Sequence, residues 1–191
     1  MTKTLLLLAE GFEFYEASVF IDVLGWNKEE GDGTTVITTC GPTKEVKSTF
    51  GQKLISDITL NQVDVSHFDA LAIPGGFEQY GFYESAFSEP YQQIIKEFNQ
   101  QQKPIASICT GAIPIAKAGI LNNKSATTYF NAKRTSQLSN LGANYQNNRI
   151  VQTENIITSQ NPSTALDVAF LLLEKLTNKE NCNHVKKLMG L

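Results

Sequence analysis

Apolar and polar positions alternate along the chain in two rhythms, one fitting strands and one fitting helices. Leu5 to Ala9 is an unbroken apolar run, as expected of a parallel strand covered on both faces. After the turn Glu10 to Phe14, Tyr15 to Leu24 places Ala17, Phe20, Ile21 and Leu24 at helical spacing. Gly31-Asp32-Gly33 breaks that pattern, and Thr34 to Cys40 is a β-branched strand. Lys44 to Asp57 is polar and reads as a loop or a small hairpin, and Leu54 to Leu60 has weak strand character. Phe68 to Ile73 is another apolar strand, closed by Pro74-Gly75-Gly76, and Tyr91 to Gln100 is a helix with Ile94, Ile95 and Phe98 on one face.

The next unit is Ile105 to Ile108, a short apolar strand ending in Cys109-Thr110-Gly111, with a helix from about Gly111 to Ala118. Ser125 to Phe130 reads as a strand and Ala132 to Leu141 as a helix ending at Gly142. Ile150 to Gln152 and Ile156 to Ser159 are two short strands across a Glu154-Asn155 turn. Pro162 to Leu176 is a helix with proline in its first turn, and Asn178 to Leu191 a final short one. Alternating strands and helices predict a doubly wound α/β fold, a mostly parallel sheet with right-handed crossovers and helices on both faces. In such sheets ligands bind at the carboxyl ends of the strands.

Composition narrows this picture. A chain of 191 residues is expected to form one domain over 1–191 and can bury a full core. A net charge of −3 gives no basic field for nucleic acid. The first apolar run stops at Glu10, too short for a membrane span. Cys40, Cys109 and Cys182 are odd in number and widely spaced, which argues against a disulfide framework or a zinc site and for a reducing, cytoplasmic setting. No cofactor or metal is expected.

The candidate chemistry centres on Cys109. A cysteine at a strand-to-helix corner faces the free N–H groups of a helix start, which predicts a lowered thiol pKa. Gly111 is expected to remove a β-carbon that would crowd the sulfur. Gly75-Gly76 frees backbone N–H groups, and the N–H groups of Gly76 and Thr110 are the expected oxyanion donors. Glu13 and Glu16 open the first helix, where helix capping is the plain reading. If Glu16 turns inward, burial raises its pKa and makes it a proton-transfer partner for the thiol. His67 precedes its strand, and so is expected at the edge opposite Cys109, while His184 lies in a polar C-terminal helix. A Cys-His pair is therefore not expected. Tyr80, Phe82, Tyr83, Phe87 and Tyr91 form either loop or dimer packing or a wall shielding the thiol.

Taken together these stretches resemble the PfpI/ThiJ superfamily, close to its Parkinsonism-associated deglycase branch. The matching segments are Leu5 to Ala17, Leu71 to Gly76, Ala106 to Gly111, Lys124 to Thr128, and Ile157 to Pro162 with the helix after it. The resemblance implies a flavodoxin-like sandwich and a homodimer. It also implies a nucleophilic, easily oxidised Cys109, with Glu16 hydrogen-bonded to its sulfur. Activities in the family include cofactor-independent glyoxalase or deglycase chemistry on small aldehydes, amidase or peptidase activity, isocyanide hydration and oxidative-stress protection.

Two departures bear on function. Many relatives carry a histidine just after Thr127-Thr128, where this chain has Tyr129 and Phe130. Tyr129 can hold a substrate oxygen but is a poor base near neutral pH. Peptidase-type members carry a histidine after the cysteine, where this chain has Thr110, which weakens the peptidase reading. Glu16, where isocyanide-hydrating relatives have aspartate, weakens that one. The expectation is a small-carbonyl enzyme using Cys109 and Glu16, with Gly75, Gly76, Thr110 and Tyr129 around the substrate. The alternative is a non-catalytic sensor in which Cys109 meets an oxidant. A degenerate binding subunit is a third reading.

Overall fold

The computed structural model describes residues 1–191. In chain order the elements are β1 (Thr2–Leu7), α1 (Phe14–Glu30), β2 (Thr35–Gly41), β3 (Glu45–Lys47), β4 (Lys53–Ile55), β5 (Ile58–Thr59), β6 (Ala70–Ile73), α2 (Phe82–Ala86), α3 (Glu89–Gln100) and β7 (Ile105–Ser107). There follow α4 (Ala112–Lys117), β8 (Ser125–Ala126), α5 (Ala132–Asn140), β9 (Asn144–Tyr145), β10 (Ile150–Thr153), β11 (Ile156–Ser159), α6 (Ala165–Leu176) and α7 (Lys179–Leu188). Short 3-10 turns join several of them, including Cys109–Gly111 and Pro162–Thr164.

The main sheet has seven strands in the order β10-β11-β7-β6-β1-β2-β5, parallel except for the antiparallel β10–β11 hairpin. Side chains alternate across it, and β1 feeds two cores. Leu5 and Leu7 pack with Ile94, Ile95 and Phe98 of α3 and Ile113 and Ile115 of α4. Leu6 packs on the other face with Phe20 and Val23 of α1, Val168 and Leu172 of α6 and Val185 of α7. Both faces are covered, which is why β1 is apolar at consecutive positions. The α/β class and the mostly parallel sheet are those expected from the alternating pattern.

The strand order reverses at β1. The chain steps from β1 to β2 on one side and returns to β6 on the other. The crevice at the carboxyl ends of β1 and β6 is therefore the topological switch point. The β3–β4 hairpin, the tighter of the two forms expected for residues 44–57, folds over the loop leaving β1. Gly11 N–H donates to Lys47 O at 2.8 Å and Thr49 N–H to Phe12 O at 2.8 Å. These bonds fix the entry of α1.

Two elements differ from their expected lengths for identifiable reasons. Helix α1 runs to Glu30, well past Leu24, because the polar Asn27 is its buried anchor. Asn27 Nδ2 donates to Thr35 Oγ1 and to Asp32 Oδ1, each at 2.9 Å. Apolar spacing does not register such a side chain. Conversely, the strand expected over Ser125 to Phe130 stops at Ala126. Thr127 N–H turns to Thr158 Oγ1 at 3.0 Å, and Thr128 Oγ1 donates to Cys109 O at 3.0 Å. The chain leaves the ladder there and carries Tyr129 toward the crevice.

Candidate functional site

The end of β7 delivers Cys109 into a corner. Ile108 is still extended, whereas Cys109 has φ +57°, a left-handed backbone that a β-carbon disfavours. The corner is tight because α4 starts directly against β6. A β-carbon on Gly111 would lie 2.7 Å from Ile73 O and 3.0 Å from Pro74 O. Gly111 thus permits close approach of helix and strand, and what it spares is the β6 carbonyls, not the sulfur. A non-glycine residue held at positive φ beside a crevice is strain of the kind found at reactive positions.

Glu16 sits in the first turn of α1, completely buried. Glu13 caps this helix, its Oε2 accepting Glu16 N–H at 2.9 Å. The Glu16 side chain turns inward, and its Oε2 accepts Gly75 N–H at 2.7 Å. Its other oxygen, Oε1, is buried and makes no well-formed hydrogen bond. The carboxyl faces the Cys109 sulfur. Burial, and then the negative Glu13, push Glu16 up to about 8, against the opposing pull of the Gly75 N–H and the Cys109 contact. Near pH 7 this carboxyl is mostly neutral.

The thiol does not follow the helix-start expectation. Burial, and then repulsion from ionised Glu16, push Cys109 well above the ordinary thiol range, and the N–H and hydroxyl of Thr110 only partly offset this. The preceding 3-10 turn and the six-residue α4 supply little dipole, and Cys109 is only 8% exposed. Desolvation therefore outweighs the helix end. The repulsion from Glu16 acts only while Glu16 is charged, so at neutral pH desolvation is the main barrier to the thiolate.

The expected oxyanion donors are revised as well. Gly76 N–H donates to Thr110 Oγ1 at 2.8 Å, and Thr110 Oγ1 donates back to Gly76 O at 2.9 Å. That closed pair braces the β6 and β7 loops and occupies the Gly76 donor. Gly75 N–H is used by Glu16. The N–H groups of Cys109 and Thr110 donate to no protein oxygen, and the Thr110 N–H lies against the sulfur. These two are the donors left at the corner.

A cavity of about 600 Å³ opens above the corner, with Glu16, Cys109, Thr110, Tyr129, Lys133 and Arg134 among its walls. Tyr129 reaches it, half-buried and stacked on Phe130 at 4.8 Å between ring centres. His67 and His184 are exposed and stand apart from it. Of the aromatic stretch, Phe82, Tyr83 and Tyr91 are core residues and Tyr80 is half-exposed, while the aromatic residues lining the cavity are Phe77 and Tyr129. Tyr83 lies beside Thr110, its hydroxyl buried without a well-formed hydrogen bond. Cys40 and Cys182 are free and buried elsewhere, and burial pushes Cys40 up to about 12. No helix is long and apolar enough to cross a membrane.

Lys133 and Arg134 were not anticipated from sequence. They sit in the first turn of α5, capped by Asn131, whose Oδ1 accepts Arg134 N–H at 2.9 Å. Helix α5 is polar, so no motif marks these residues. The available signal is their position four to five residues beyond Tyr129 at a helix start.

The DJ-1/PfpI family model matches residues 2–175. Protein dj-1beta of Drosophila melanogaster is 31% identical over 188 residues, covering 98% of this chain and 96% of that protein. The crystal structure of Drosophila melanogaster DJ-1beta superposes with a TM-score of 0.87 at 28% identity, over 100% of this chain and 98% of the other. Protein DJ-1 homolog B of Arabidopsis thaliana is 29% identical over 181 residues, 93% of this chain but 39% of that protein, so the chain spans about two fifths of its length. With the sequence match and the superposition both running nearly end to end, the chain belongs to the DJ-1/PfpI family.

Proposed function

We propose that the protein is a cysteine-dependent enzyme acting on small carbonyl compounds of the 2-oxoaldehyde type. The observation that carries this reading is the buried Glu16 carboxyl against the Cys109 sulfur at the base of an open cavity. A carboxyl with a pKa of about 8 can both take and give a proton near neutral pH. In its ionised form, about a tenth of molecules at pH 7, Glu16 takes the Cys109 proton as sulfur bonds to the aldehyde carbon. It returns that proton to the aldehyde oxygen, giving a hemithioacetal. Glu16 then removes the hydrogen from that carbon and the proton is returned at the neighbouring carbon. The product is a thioester of a 2-hydroxy acid, which water hydrolyses to release the acid and the thiol. The first carbon is oxidised and the second reduced within one molecule, with no external oxidant. The N–H groups of Cys109 and Thr110 hold the oxyanion, and Tyr129 binds a substrate oxygen.

The test is conversion of methylglyoxal to lactate by the reduced protein. Cys109→Ser abolishes turnover, and Glu16→Gln lowers it by about a hundredfold or more. Full turnover in either variant overturns the assignment. One observation favours a second reading: no histidine reaches the sulfur. A thiol sensor needs no relay base, and Glu16 as a donor stabilises an oxidised sulfur. Selective oxidation of Cys109 by dilute peroxide in Glu16→Gln, with no aldehyde turnover in the unaltered protein, selects the sensor. A homodimer and a cytoplasmic setting belong to the same proposal. Sedimentation at micromolar concentration reads the first, and a monomer mass removes it.

A further inference from the structure

The wall of the cavity formed by α5 carries two cations with one carboxylate between them. Lys133 Nζ and Arg134 Nη2 both bind Glu78 Oε2, the latter at 2.8 Å. Arg134 is held from behind: its guanidinium lies 4.7 Å from the Tyr83 ring centre and donates to Gln137 Oε1 at 2.8 Å. Only 11% of its side chain is exposed, against 66% for Lys133. One carboxylate cannot neutralise two cations, so this wall keeps a surplus positive charge. Two further acids line the cavity: Glu16, whose buried carboxyl is mostly neutral near pH 7, and Glu13, which caps α1 and takes no part in either cation's ion pair. The cavity, about 600 Å³, has room for much more than a three-carbon aldehyde.

We infer that Lys133 and Arg134 select 2-oxoaldehydes bearing a carboxylate on the arm away from the reacting carbonyl. Such a substrate places its aldehyde at Cys109 and its carboxylate at the cations, displacing Glu78. This rests on the carbonyl chemistry proposed above. With 4,5-dioxopentanoate the balance is substrate plus water giving 2-hydroxyglutarate, again an internal oxidation and reduction.

Two measurements separate this inference from that reading. The first compares kcat/KM for 4,5-dioxopentanoate with that for the neutral 2-oxopentanal. The charged substrate is preferred by about tenfold, the worth of one charge-assisted contact. Lys133→Met brings the ratio toward one, and Glu78→Gln raises it. The second compares Cys109 alkylation by iodoacetate and by iodoacetamide, which needs no turnover. The ratio of the two rates exceeds that of the unfolded chain and falls in Lys133→Met. Iodoacetate selectivity that Lys133→Met removes supports the inference even where neither aldehyde is converted. Turnover of both aldehydes without preference, and no iodoacetate selectivity, overturns it while leaving the carbonyl enzyme standing.

Discussion

Cys109 and Glu16 form a pair in which neither group readily carries charge. Each is pushed toward its neutral form by burial, and each in its ionised form repels the other. The two therefore titrate as a unit. Cys109 is nonetheless the one thiol that reaches the cavity, while Cys40 and Cys182 are sealed in the core at 0% and 1% exposure. A limiting alkylating agent therefore labels Cys109 first, read by peptide mapping; first labelling of Cys40 or Cys182 contradicts the site. The rate of that reaction keeps climbing through the alkaline range instead of levelling off near neutrality. Glu16→Gln removes the like charge that appears above about pH 8. In that range the variant alkylates faster than the unaltered protein, and equal rates would show that Glu16 does not face the sulfur.

At the scale of elements, the site depends on how closely α4 and the β6 loop approach. Gly111 lies against the carbonyls of Ile73 and Pro74, and Gly75 against Thr110 and Glu16. Gly111→Ala places its methyl 2.7 Å from Ile73 O, so the helix start must shift. Overpacking of this kind costs about 1–3 kcal/mol. Chemical denaturation reads the loss, and the alkylation rate of Cys109 changes with it because the corner moves. An unchanged midpoint and rate would mean that the helix start tolerates the methyl group. The turn at Cys109-Thr110-Gly111 was legible because glycine after a strand-ending cysteine is a local signal. The Thr110–Gly76 pair that consumes the expected oxyanion donor was not, since it joins residues 34 positions apart.

For the whole molecule, the buried Glu16 links stability to pH. Its carboxyl titrates near the ordinary value of 4.5 when unfolded and at about 8 when folded. Between these values the folded chain keeps a proton that the unfolded chain releases. Its contribution to stability is thus complete below about pH 4.5 and is lost as pH rises toward 8. The effect is on the order of a few kcal/mol, because each tenfold gain in proton affinity on folding is worth about 1.4 kcal/mol. Melting temperatures measured from pH 5 to pH 8 should fall more steeply for the unaltered protein than for Glu16→Gln. Parallel curves would show that Glu16 is not buried as a neutral acid.

The amino-acid sequence alone set the alternation of strands and helices, the parallel sheet and the loops that follow β1, β6 and β7 at its carboxyl edge. Those follow from the side-chain period and from glycine, which act between near neighbours. It also marked Cys109 and Glu16, whose positions at a strand end and a helix start carry local signals, and the matching motifs brought in Tyr129. Tertiary structure alone decided the charge state of the pair, because desolvation depends on what covers a residue, and it reversed the lowered thiol pKa that the helix start suggested. It alone also tied the Gly76 N–H to Thr110 and brought Lys133 and Arg134 to the cavity, because those contacts join segments whose separation along the chain leaves no periodic trace.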